Sequence, residues 1–162
     1  MRALIAASIL ALASGHASAQ SGVSCTSGTT SGVLSFGNVV VTAPAGVSTL
    51  LGEFVVRCVN VDNNSRNVRL RLAISAGNSG TAGQRQMRQA GGPAPLLYNL
   101  YEDAAYTVVW TASTGGRPDE VLAIPARSTT ELRRSIFGRV PGRQTNVTPG
   151  LYSDTLVATV RY

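Results

Sequence analysis

The sequence predicts an all-β sandwich or barrel carrying one disulfide, and three observations support that expectation. Apolar residues recur with a period of two in several short runs, glycine- and proline-rich breakers separate those runs, and two cysteines stand in a chain that opens like an exported protein. No segment beyond the first twenty residues sustains a helical period. The absence of strand–helix alternation excludes a parallel α/β sheet.

The clearest strand is the run in which Val68, Leu70, Leu72 and Ile74 fall on one face and Arg69 and Arg71 on the other. Phe54, Val56 and Cys58 alternate in the same way with Glu53, Val55 and Arg57, and Tyr106, Val108 and Trp110 alternate with threonines and Val109. Toward the C-terminus Leu156, Ala158, Val160 and Tyr162 face one way while Thr155, Val157, Thr159 and Arg161 face the other, so the sequence stops inside a strand. Further strands are expected within 33–41, 96–101, 121–124 and 135–140. Breakers fall at 43–46, 62–65, 77–83, 91–95, 114–118 and 141–150, giving about eight strands spaced by turns. The Ser/Thr/Gly stretch from 21 to 32 reads as a polar leader to the first strand.

Met1-Arg2, an apolar stretch over 3–13 and the small residues Ala17-Ser18-Ala19 before Gln20 form the three regions of a secretory signal. Cleavage before Gln20 leaves residues 20–162, the usual size of one domain, and divides the chain into a signal peptide, 1–19, and a β-sandwich domain, 20–162. The apolar stretch is about half the roughly 20 residues that a spanning helix needs, so no integral membrane segment is expected.

Every basic residue is an arginine, and the cleaved chain carries thirteen of them against eight acids. Arg133-Arg134 with Arg139 and Arg143 is the densest group; it reads as a solvated face, and export argues against nucleic acid as a partner. Cys25 and Cys58 enclose 32 residues, and an even count in an exported chain reads as one disulfide. Closing a loop of that size removes about 3–4 kcal/mol of unfolded-chain entropy in the simplest treatment. An immunoglobulin domain places a tryptophan between its cysteines, whereas Trp110 follows both, so this bridge is not the pin between two sheets.

The one histidine, His16, lies in the signal, which removes Ser-His-Asp and Cys-His catalysis and His-based metal centres from the cleaved chain. No lysine is present to form a Schiff base, and no phosphate-loop or dinucleotide fingerprint occurs. Paired carboxylates remain at Glu102-Asp103 and Asp119-Glu120, with Asp154 alone, but neighbours on a strand point to opposite faces and do not converge on one bond. Neither a catalytic site, a metal nor a cofactor is therefore expected. Tyr98, Tyr101, Tyr106 and Trp110 are compatible with a sugar platform, yet their spacing fits core and cross-strand packing better.

In this order, Cys25, Leu34-Ser35-Phe36-Gly37, Cys58, Arg85-Gln86-Met87, Leu97-Tyr98-Asn99-Leu100-Tyr101-Glu102-Asp103-Ala104, Trp110, Phe137-Gly138-Arg139 and Gly150-Leu151-Tyr152-Ser153-Asp154-Thr155 resemble the spore coat protein U domain, a family that includes subunits of archaic chaperone-usher pili. The resemblance covers nearly the whole of residues 20–162. It implies an incomplete immunoglobulin-like (Greek-key) β-sandwich lacking its last strand, which a periplasmic chaperone fills first and a neighbouring subunit fills next by donor-strand complementation. The partners it implies are that chaperone, an outer-membrane usher and other pilus or coat subunits, at the cell surface after periplasmic transit, in adhesion, biofilm or coat formation.

The strand-exchange residues expected on this basis are Leu156, Ala158, Val160 and Tyr162, with the terminal carboxylate held by basic residues of the chaperone. Shaft subunits of the family carry an alternating apolar extension before the first cysteine, whereas here only residues 20–24 precede Cys25 and Val23 is their sole apolar anchor. The alternative reading is a free-standing, lectin-like secreted sandwich.

Overall fold

The computed structural model describes residues 3–4, 8–10, 22–30, 32–111 and 119–162. His16, the cleavage region 17–20 and the breaker at 114–118 lie outside the described residues. In chain order the strands are β1 (Ala3–Leu4), β2 (Ser8–Leu10), β3 (Val23–Thr29), β4 (Val33–Leu34), β5 (Asn38–Val39), β6 (Val47–Asn60), β7 (Arg66–Ile74), β8 (Arg85–Met87), β9 (Leu96–Tyr101), β10 (Glu120–Ile124), β11 (Thr129–Val140), β12 (Thr155–Leu156) and β13 (Ala158–Arg161). A single 3-10 turn, Gly77–Ser79, follows β7.

The period-two pattern decides which side chains enter the core. Along β7, Val68, Leu70, Leu72 and Ile74 are buried while Arg69 and Arg71 are exposed. One layer of the sandwich is the antiparallel sheet β3-β6-β11-β9-β8. The other is assembled from β10-β7-β13 and β12-β2-β4. The chain runs from β12 to β13 through Val157, whose carbonyl accepts the Ser75 N–H at 2.9 Å and whose N–H donates to Ser75 Oγ at 2.8 Å. β5 pairs with β1.

One continuous core joins the layers, with Phe54, Val56, Leu100 and Ile136 from the first and Leu34, Leu70, Leu156 and Val160 from the second. Trp110 lies fully buried in it, stacked on Phe54 with ring centroids 5.8 Å apart. The order of neighbours within each sheet is non-sequential, as Greek-key connections require. Just before β12, the buried Tyr152 donates its hydroxyl to the Thr148 carbonyl at 2.8 Å, in the manner of the tyrosine corner of immunoglobulin-like sandwiches. The fold is thus an all-β, immunoglobulin-like sandwich with one disulfide, as expected.

Four of the differences from the sequence reading bear on how the fold is held. The polar stretch expected to lead into the first strand contains β3 itself, which runs opposite β6 and sets Cys25 directly across from Cys58. The bridge therefore staples two neighbouring strands of one sheet. An edge strand needs an apolar anchor on one side only, and Val23 supplies it while serine and threonine face water.

Residues 106–110 form a return segment in place of a strand. The Asp103 carboxylate caps the backbone N–H groups of Thr107 and Val108 at 3.0 and 2.7 Å, Tyr106 takes φ 58°, and only an isolated bridge joins Val109 to Tyr101. Local Asx capping outweighs the apolar alternation there. The run expected within 33–41 is divided into β4 and β5 around Gly37, whose φ of 65° interrupts the strand. Finally, β11 begins six residues earlier than the expected 135–140, because it pairs along most of β6.

Candidate functional site

The C-terminal segment is where the two halves of the second layer meet. Leu156 and Ala158 are fully buried, Val160 is nearly so, and Tyr162 is half-buried, as the alternation requires. These four positions do not share one environment. Ala158 and Val160 lie in β13, paired with Ile74 and Leu72 of β7, whereas Leu156 lies in β12, whose strand partner is β2. Tyr162 lines a shallow hollow of about 280 Å³ with Arg69, Arg71, Asp119 and Arg161.

β2 occupies the position between β12 and β4. It runs parallel to β12, with Ile9 opposite Thr155 and Leu10 opposite Leu156, and antiparallel to β4, with Ser8 opposite Leu34 and Ile9 opposite Val33. Among the described strands, neither β4 nor β12 pairs with any other. The sheet is therefore one strand short wherever residues 8–10 are removed. Reading the sequence identified the apolar stretch containing these residues only as an export signal, since nothing in its composition distinguishes a leader from a buried strand.

Two buried polar clusters hold the rim of this region. Asp154, immediately before β12, accepts the Asn78 and Thr155 N–H groups on Oδ1 at 2.8 Å each and the Tyr98 hydroxyl on Oδ2 at 2.7 Å. It thereby ties the 3-10 turn, β9 and the start of β12 together, and its carboxylate is fully engaged in structure. Ser153 adds reciprocal backbone bonds with Arg88 at 2.8 and 3.0 Å.

Arg85 is fully buried, and its five N–H donors all find acceptors: the carbonyls of Ser75 at 2.9 Å, Ala82 at 3.0 Å, Ile74 at 2.8 Å and Trp110 at 2.8 Å, and Asn99 Oδ1 at 2.8 Å. Burial pulls the guanidinium down to about 10, so it remains charged at neutral pH. The sequence displays Arg85 and Asp154 as motif residues without revealing either clamp, because every partner is distant in the chain.

Several other charged residues are paired with one another. Asp119 pairs with Arg71 at 2.5 Å, Glu120 with Arg134, and Arg133 with Glu53 and Glu131 at 3.1 and 3.0 Å. The carboxylates of Asp103, Asp119, Glu120 and Asp154 are thus directed to separate structural partners. Tyr98 and Trp110 are buried, and Tyr106 packs edge-on against Tyr101 at 5.6 Å and Phe137 at 6.2 Å, which is the packing role expected of the aromatic group. Among the described residues, no helix is long and apolar enough to cross a membrane.

The fold defines a class, the immunoglobulin-like β-sandwich, here with the N-terminal strand β2 completing the second layer between β12 and β4. The sequence matches the Spore Coat Protein U domain over residues 11–159. It is also 32% identical over 141 residues to Protein U of Myxococcus xanthus, an alignment that covers 84% of this chain and 75% of that protein. The chain belongs to the spore coat protein U domain family, a structural family of coat and pilus-related surface proteins.

Proposed function

We propose that this chain is an exported subunit of a surface coat or archaic chaperone-usher pilus, assembled by donor-strand complementation. The observation that carries the proposal is the single-strand gap between β4 and β12, two edges whose only described strand partner is β2. Cleavage of residues 1–19 in the periplasm removes that strand. It exposes a row of unpaired N–H and C=O groups beside the core residues Leu34 and Leu156. A strand supplied by a periplasmic chaperone covers the gap in transit, and a strand from a neighbouring subunit replaces it at the outer-membrane usher.

Leu156 borders the inserted strand directly. Ala158, Val160 and Tyr162 continue the same segment, and Ala158 and Val160 anchor it by pairing with Ile74 and Leu72 of β7. The product is a fibre or coat that serves adhesion, biofilm or surface layering without catalysis.

The test is periplasmic production of residues 20–162 with and without the cognate chaperone, followed by size-exclusion chromatography and thermal unfolding. The expected outcome is soluble protein only as a one-to-one chaperone complex. A stable, cooperatively melting monomer of residues 20–162 refutes strand exchange and returns the chain to the free-standing sandwich.

A further inference from the structure

We infer that the chain's own leader is a ligand of the β4–β12 groove: in the uncleaved precursor the apolar strand Ser8–Leu10 completes the sandwich in cis, and leader removal opens the assembly site. The inference rests on the strand-exchange reading and deepens it by naming an occupant and an opening event.

Three observations support it. The first is the two-sided ladder, since Ile9 stands opposite Val33 on one side and Thr155 on the other, so a short segment closes both edges at once. The second is the dependence of the neighbouring chain on the leader. β5 takes its strand pairing from Ala3–Leu4 just as β4 takes its own from Ser8–Leu10, and these two strands carry Leu34 and Val39 into the core. Removing the leader withdraws the described strand partners of β4, β5 and β12 together.

The third is composition. Residues 3–13 are apolar throughout except at Ser8, so a register slip by one residue brings no charge to the core side. A strand without alternation has a weakly specified register. Such an occupant fills the groove yet competes poorly with an alternating partner strand that fits one register well.

The stretch that cleavage before Gln20 leaves ahead of β3 is too short to refill the gap. Only residues 20–22 precede β3, and β3 is already committed to β6 along its full length. Three residues span roughly 10 Å at most, too little to run beside β12. The groove opened by cleavage is therefore not refilled from the new N-terminus, and a strand from another chain can enter it.

Oxidative refolding tests this with three chains: residues 1–162 with the leader retained, the same chain carrying Ile9→Pro and Leu10→Pro, and residues 20–162. Each is refolded alone, and the last also with a synthetic peptide of residues 3–19 in excess. The readouts are elution volume, cooperative melting and hydrogen-exchange protection of the Leu34 and Leu156 amides. Proline withdraws the ladder donors of β2.

The expected result is a cooperatively melting monomer for 1–162 with both amides protected at least tenfold over the proline variant, aggregation of 20–162 alone, and rescue of 20–162 by the peptide. If 1–162 and 20–162 both aggregate, or if the proline variant matches 1–162, the leader is not the occupant, while strand exchange with partners stands. If 20–162 folds alone, strand exchange itself is refuted and this inference with it.

Discussion

Arg85 shows how a charged residue becomes structural. Lysine offers three donors where the guanidinium places five, so Arg85→Lys strands at least two of the five buried acceptors around it. Each orphaned buried group costs about 1–3 kcal/mol, and chemical denaturation of the chaperone-bound or otherwise completed protein should show a loss of about 3 kcal/mol or more. Asp103 gives a pH signature. The N–H groups of Val108 and Thr107 hold its carboxyl below the usual carboxylate range. A carboxyl whose folded pKa is depressed stabilises the fold above its unfolded value of about 3.9, and that stabilisation is lost as the pH falls through the lower folded value. The 103–108 turn is therefore expected to loosen below about pH 4, seen as accelerated hydrogen exchange at Val108, and Asp103→Asn should flatten that dependence.

At the scale of elements, the long β6–β11 ladder carries a bulge between Ile136 and Phe137, opposite which Leu51 is the extra residue. Gly138 lies beneath Leu51 and the Phe36 ring, and an added Cβ there would run into Leu51 Cδ1 and lie 2.6 Å from two ring atoms of Phe36. Gly138→Val should lower the melting temperature by several degrees, equivalent to about 1–3 kcal/mol of overpacking, whereas Gly28→Ala, with open space around it, should not. This explains which elements were legible in the sequence. β7, β10 and the C-terminal run bury chiefly one face, and their alternation announces them. β3 buries little and is held by Cys25 opposite Cys58, a long-range pairing that its Ser/Thr/Gly composition does not signal. Residues 106–110 alternate as well as any strand, but the Asp103 cap, set five residues before Val108, turns the chain back. Leu156 was legible as a buried residue, while its pairing with β2 was not, because the apolar run that contains β2 has no alternation to mark it as a strand.

At the scale of the whole molecule, a subunit assembled by strand exchange as proposed would be loaded along its chain, and such a subunit is judged by what it does under load. Tension applied between the start of β3 and the end of β13 would first try to peel β3 from the sheet edge, one hydrogen-bonded pair after another. The Cys25–Cys58 bridge lies three rungs into that ladder, counted from Val23 opposite Asn60, so peeling stops almost as soon as it begins. The force then passes through the sulfur atoms into β6, in the interior of the five-stranded sheet, where rupture means shearing against β11. The 33-residue separation between the cysteines is also held out of the extension, which shortens the unravelled subunit by roughly 110 Å at about 3.4 Å per residue. A bridge within one sheet thus acts as a tether that limits how far the subunit lengthens when it is pulled.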